Sequence, residues 1–245
     1  MSDYRNYTVA AVGHNAHRPT RTNRASCRSA GRITLSQELQ LIKAVERFRQ
    51  WADSTFSGQK NGEWECEYEE WGDLYDSVRA VLRTEIEGWN DLTKQLLIYA
   101  IARDNEVGLI CDELTEEQLM VLSAASMSSD ERDAKWQFAE HLGKHPLTNQ
   151  REKLLLELAV DADENVRRRS LMALADTGSG RAEQLAITAW HSGEEYQQMA
   201  CLHALWRINS PLLPRYLEPA EQDTRRFLKG MAERIRNGTG EFAQQ

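Results

Sequence analysis

Residues 128 to 207 of this chain repeat themselves, and a repeat of that length leaves few folds open. Setting residues 163–175 above 194–206 places Leu171 on Leu202, Ala173 on Ala204 and Leu174 on Leu205, an offset of 31 residues. A fainter copy in residues 130–142, with Ala134, Phe138, Ala139 and Leu142, lies about one period earlier. One helix pair cannot bury its apolar face alone, so pairs repeating at this spacing stack side by side. The pattern predicts an elongated surface suited to holding another macromolecule.

Helical signals continue on both sides of the repeat. Thr34 with Gln37 has the spacing of a capping box, in which each side chain meets the other residue's free backbone N–H. Leu35, Leu39, Ile42, Val45 and Phe48 follow at intervals of three and four, which predicts a helix ending before the polar loop at residues 57–62. Further helices are predicted over residues 68–87, 92–103 and 106–113. Three more caps are expected where Thr115 meets Gln118, Ser128 meets Glu131 and Ser192 meets Glu195. Asn149 is expected to cap a helix over 151–160, whose partner runs over 164–175 and stops at Gly178. The next pair is predicted over 181–190 and 194–208. Pro211 and Pro219 suit the first turns of two short final helices, the last fading near Asn237. The expected class is all-α, an α-solenoid of stacked antiparallel helix pairs with about 11–12 helices. Residues 1–32 read as a basic tail, 33–90 as an N-terminal helical cap, 91–237 as the repeats and 238–245 as a flexible end.

The repeats resemble the HEAT family, in which the second helix of a unit opens on an acidic residue followed by Val-Arg and then Ala and Leu. Asp163, Val166, Arg167, Ala173 and Leu174 carry the resemblance. The following unit keeps Glu194, Ala204 and Leu205 but has Gln197 and Gln198 in place of Val-Arg. The resemblance covers residues 128–208 and extends more weakly to residue 92. It implies a stacked-helix fold that acts by binding. HEAT-like deoxyhypusine hydroxylases hold two irons on His-Glu dipeptides, and this chain has only the reversed Glu140-His141. HEAT-like DNA glycosylases hold duplex in a basic groove, whereas Arg167, Arg168 and Arg169 are expected to pair with Asp161, Asp163 and Glu164.

Charge is divided along the chain. Residues 1–32 hold six arginines (Arg5, Arg18, Arg21, Arg24, Arg28 and Arg32) against Asp3 alone, a local +5, so the whole-chain −8 leaves −13 for the remainder. An acidic body favours basic partners and disfavours the phosphate backbone. The four cysteines (Cys27, Cys66, Cys111 and Cys201) form no ligand or CxxC spacing and suit reduced thiols in a cytoplasmic protein. No apolar run reaches the roughly 20 residues of a membrane span, and the N-terminus has no secretory apolar core. His14 and His17 fall in the tail, and His191 falls in a turn. His141 and His145 have metal-ligand spacing, but Gly143 and Pro146 indicate a helix end instead. His203 reads as a helix-surface residue. No cofactor or metal is expected, and no catalytic residue is assigned.

The unusual local feature lies in residues 63–76, where seven acids and four large aromatics occupy fourteen residues without a basic one. Two readings are open. In one, Trp64, Tyr68, Trp71 and Tyr75 are core residues on one face and the acids are solvated on the other. In the other, Glu63, Trp64, Glu65, Glu67, Tyr68, Glu69, Glu70, Trp71 and Asp73 form an acidic, aromatic contact site for a basic protein. Small acidic helical-repeat proteins of bacteria that neutralise a cognate toxin are similar in size and charge. The expected function is therefore non-catalytic: an immunity protein, monomeric or a weak dimer, that occludes a toxin's basic active site. The alternatives are a scaffold or adaptor and, further off, a nucleic-acid-modifying protein.

Overall fold

The computed structural model describes residues 31–56 and 64–238, and among these every regular element is a helix. The N-terminal part holds α1 (Leu35–Thr55), a 3-10 turn at Trp64–Glu67, α2 (Trp71–Leu82), a second 3-10 turn at Ile86–Gly88 and α3 (Asp91–Arg103). The short α4 (Leu109–Asp112) and α5 (Glu116–Ser126) follow. Then come three pairings, α6 (Arg132–Gly143) with α7 (Asn149–Leu158), α8 (Glu164–Asp176) with α9 (Ala182–His191) and α10 (Glu195–Arg207) with α11 (Leu213–Glu221), followed by α12 (Arg226–Arg236). The class is all-α and solenoid-like. One continuous apolar core runs from Leu41 in α1 to Ile235 in α12. No helix among the described residues is long and apolar enough to cross a membrane.

Neighbouring helices pack in the order of the repeat. Helices α6, α8, α10 and α12 form one continuous layer, while α7, α9 and α11 each pack against the members of that layer beside them. The same contacts recur one period apart. The Ser179 hydroxyl donates to Glu152 Oε1 at 2.5 Å, and the Ser210 hydroxyl donates to Glu183 Oε2 at 2.5 Å. Both serines follow a residue of positive φ, Gly178 at 75° and Asn209 at 52°. Their N–H groups then reach back to Leu174 O at 2.9 Å and Leu205 O at 2.8 Å, closing the helix ends. Gln197 and Gln198, where the Val-Arg pattern lapses, are buried ties. The Gln197 amide donates to Glu164 O at 2.9 Å, and that of Gln198 donates to Trp190 O at 3.1 Å.

Gly143 is more than a helix stop. A Cβ on it would lie 2.8 Å from Ala173 Cβ and 3.1 Å from Ala173 Cα, so its missing side chain is what lets α6 and α8 approach.

Several expectations from the sequence need correction. The capping boxes at Thr34/Gln37 and Thr115/Gln118 form, but those at Ser128/Glu131 and Ser192/Glu195 do not. There, Ser129 and Ser192 accept from the N–H two residues on, so α6 and α10 start later, behind Glu131 and Glu194. Thr148 rather than Asn149 caps α7, because its hydroxyl accepts from Arg151 N at 3.2 Å. Pro219 lies inside α11, and the last helix begins beyond it at Arg226. The predicted helix over 68–87 is shorter, with α2 ending at Leu82 and residues 86–88 forming a separate 3-10 turn. The basic residues of the first thirty positions, with Cys27, His14 and His17, lie outside the described residues.

Candidate functional site

The acidic, aromatic segment divides into a buried and an exposed half. Its chain makes a 3-10 turn at Trp64–Glu67 and starts α2 only at Trp71, so the four aromatics do not share one helix. Tyr68 nevertheless turns inward and is buried, its ring edge-on to Phe48 with centroids 4.7 Å apart. Trp71 packs against Phe48 at 5.3 Å and stacks on Tyr75 at 5.3 Å, and its indole N–H donates to Glu65 O at 3.0 Å. The Tyr75 hydroxyl donates to the buried Asp104 at 2.6 Å, and burial together with that carboxylate pushes its pKa up. Tyr68 is therefore a core residue that a partner cannot use as an anchor while the fold stays intact, and Trp71 and Tyr75 are half-buried against that core.

The carboxylates do not all face water either. Glu65 is 4% exposed, and burial raises its pKa against the opposing pull of Arg103, 3.9 Å away. Glu67, Glu69, Glu70, Asp73 and Asp76 are exposed. Arg47 of α1 binds two of them, Glu70 at 3.1 Å and Asp73 at 3.0 Å. Of the nine residues assigned to this site, Glu65 and Tyr68 are turned away from solvent and Trp71 is half-buried. Glu67, Glu69, Glu70 and Asp73 remain on the surface, and Trp64 has its backbone in the 3-10 turn. Glu63 lies outside the described residues.

A second feature was not anticipated from the sequence. The layer α6, α8, α10 and α12 carries a groove of about 1280 Å³. Seven Lys or Arg residues line it against three Asp or Glu, so its sign is opposite to that of the chain as a whole. Its floor is apolar and sulfur-bearing, with Met172, Met199 and Trp206. Tyr196 and Phe227 stand at its side with rings stacked at 6.1 Å and an interplanar angle of 26°, and they are 43% and 47% exposed. These two rings are 31 residues apart, the same position in successive repeats. Carrying the alignment past residue 208 would have found them.

The arginine run at 167–169 points into three environments rather than pairing with Asp163 and Glu164. Arg167 spans to the next repeat, reaching Glu194 at 2.9 Å and Asp161 O at 3.0 Å. Arg169 pairs with Glu140 at 3.1 Å and lies over the Trp136 ring at 5.4 Å. Arg168 donates to Asn165 Oδ1 at 2.6 Å and lies over Tyr196 at 5.2 Å. Burial first, and then the like charge of Arg169, lower the Arg168 pKa.

One histidine has moved as well. His203, expected on the surface, is buried at the groove wall with Nε2 3.5 Å from Asp176, which Arg207 also binds at 2.7 Å. Although burial works against ionisation, those hydrogen bonds hold the Asp176 carboxyl below the ordinary range. His141 closes α6 as expected, but its Nε2 lies 2.8 Å from Asp112 of α4. No group of His, Cys, Asp and Glu among the described residues is arranged to hold a metal ion.

Comparison with protein-family models, with curated proteins and with solved structures finds no match to the chain.

Proposed function

We propose that this chain acts by binding protein rather than by catalysis, as a cytoplasmic HEAT-like solenoid of the immunity type that covers the basic active site of a bacterial toxin. The observation that carries the reading is the set of exposed carboxylates Glu67, Glu69, Glu70, Asp73 and Asp76 on the surface of α2 and the turn before it. They sit above a rigid aromatic cluster of Phe48, Tyr68, Trp71 and Tyr75. Carboxylates held on a packed platform lose little freedom on docking, and they steer a cationic partner toward the surface. The buried Phe48 and Tyr68 rings support the site from below.

An adaptor reading is favoured by one feature, the groove of opposite sign at the other end of the stack. Two surfaces of unlike charge suit two partners better than one.

The test begins with capture on the tagged chain, followed by expression of each captured protein alone and together with the chain. The immunity reading expects one stoichiometric, basic partner whose toxicity is relieved on co-expression. Glu67→Lys with Glu69→Lys, both exposed, should weaken that complex by about tenfold or more through lost attraction and new repulsion. Undiminished affinity with helicity retained rules out the acidic site. Several moderate partners and no relief of toxicity would support the adaptor instead.

A further inference from the structure

The geometry points to a second binding site, independent of the toxin reading: the α6–α12 groove takes an extended, acidic peptide segment of another protein, one carrying an aromatic or large aliphatic anchor. The argument starts at Arg168. Its guanidinium is partly desolvated, its Nε is buried without a hydrogen-bond partner, and its Nη2 is held by a neutral amide oxygen. No ion pair to it is formed among the described residues, and Arg169 beside it adds repulsion that the Glu164 carboxylate and Tyr196 oppose. A half-buried charge left with one neutral hydrogen bond is costly, and an arriving carboxylate removes the cost with a bidentate pair. On the opposite wall Arg226 and Lys229 are exposed and likewise form no ion pair among the described residues.

Between these cations lies the apolar floor of Met172, Met199 and Trp206, flanked by the stacked, part-exposed rings of Tyr196 and Phe227. Thioethers and rings adapt to varied apolar side chains and supply the desolvated contact that charge pairs do not. Cations around an apolar floor match a ligand that alternates carboxylates with hydrophobic residues.

A nucleic-acid strand fits less well. Glu140 and Asp176 already neutralise Arg169 and Arg207, and Glu233 stands exposed in the same groove. A strand bearing a phosphate at every nucleotide cannot avoid those carboxylates, whereas a peptide can set an uncharged residue opposite them. The net −8 of the chain also repels a polyanion on approach.

The test uses a phage library of random peptides about twelve residues long, more than enough to cross four helices at ~3.3 Å per residue. The library is selected on the full chain and the winners are measured by fluorescence polarisation. The expected winners hold two or more Asp or Glu around an aromatic, Leu or Met, and their affinity falls as salt rises. Arg226→Glu with Lys229→Glu, both at exposed positions, should weaken them about tenfold or more with unchanged circular dichroism. Arg168→Gln should do the same if it folds, and the exposed pair decides the matter if it does not. Three results overturn the proposal: no enrichment, winners that are neutral or basic, or winners indifferent to the double substitution. A thymidine oligonucleotide of equal length that binds more tightly than the best peptide would reassign the groove to nucleic acid.

Discussion

At the scale of single residues, glycine gives the clearest forecast. Gly143→Ala places a methyl 2.8 Å from Ala173 Cβ, with the Ala173 backbone directly behind it. A backbone neighbour cannot swing aside, so α6 and α8 must separate, at a cost of about 1–3 kcal/mol. Gly72→Ala is the matched control, since nothing lies within 4 Å of its Cβ position and α2 gains a better helix former, worth about 0.5–1 kcal/mol. Urea unfolding of the two variants should move in opposite directions. If Gly143→Ala unfolds at the wild-type midpoint, the two helices are not in the close contact described. Glycine as a helix stop was legible from the sequence, but glycine as a contact was not, because the residue it admits lies thirty positions away. His203 failed for a related reason: its own helix does not disclose the groove wall that buries it.

The helices themselves were largely legible. Apolar spacing located α1, α3, α8 and α10 to within a residue or two, because their buried faces recur every three or four positions. Their starts were less legible wherever several hydroxyls compete for the same N–H groups, as at Ser128, Ser129 and Glu131. The last helix is held at its start by a charged clamp. Arg225 donates to Asp223 Oδ1 at 2.9 Å, to Gly193 O at 2.9 Å and to Gln198 Oε1 at 2.5 Å, fastening α12 to α10. Hydrogen bonds from the Arg225 side chain and backbone hold the Asp223 carboxyl at about 2, below the ordinary carboxylate range. A carboxyl depressed on folding stabilises the protein above its unfolded pKa, and that contribution is lost as pH falls through the folded value. Asp223→Asn should therefore lower the melting midpoint at neutral pH, and the gap from wild type should close between about pH 4 and pH 2. A gap that persists unchanged at pH 2 would show that the carboxylate's charge is not what holds α12.

Across the whole molecule, each helix pair is covered by the next, and α11 and α12 cover α10. Helices α11 and α12 place Leu217, Leu228, Met231 and Ile235 in the common core. Removing residues 210–245 uncovers α10 and deletes one interface from a stack whose stability is roughly a sum over neighbours. The truncated chain should melt about 5–10 °C lower, equivalent to ~2–3 kcal/mol for a domain of this size. A midpoint that does not move would mean that α12 is an appendage and not a cap. The repeat in residues 128–207 foretold the stacking, whereas the acidic segment at the N-terminal end was legible only in part. Acid and aromatic residues in sequence do not tell which of them face inward. Charge averaged over the chain likewise concealed a positive groove assembled from four separate helices.

Tyr196 and Phe227 occupy one position in two successive repeats, so the groove has a unit length set by the helix. Adjacent packed helices lie about 9 Å apart, and the three steps from α6 to α12 make roughly 27 Å. An extended chain covers that distance in about eight residues. The number of repeats thus acts as a ruler: one more helix pair would lengthen the recognised segment by about three residues, and one fewer would shorten it by as much.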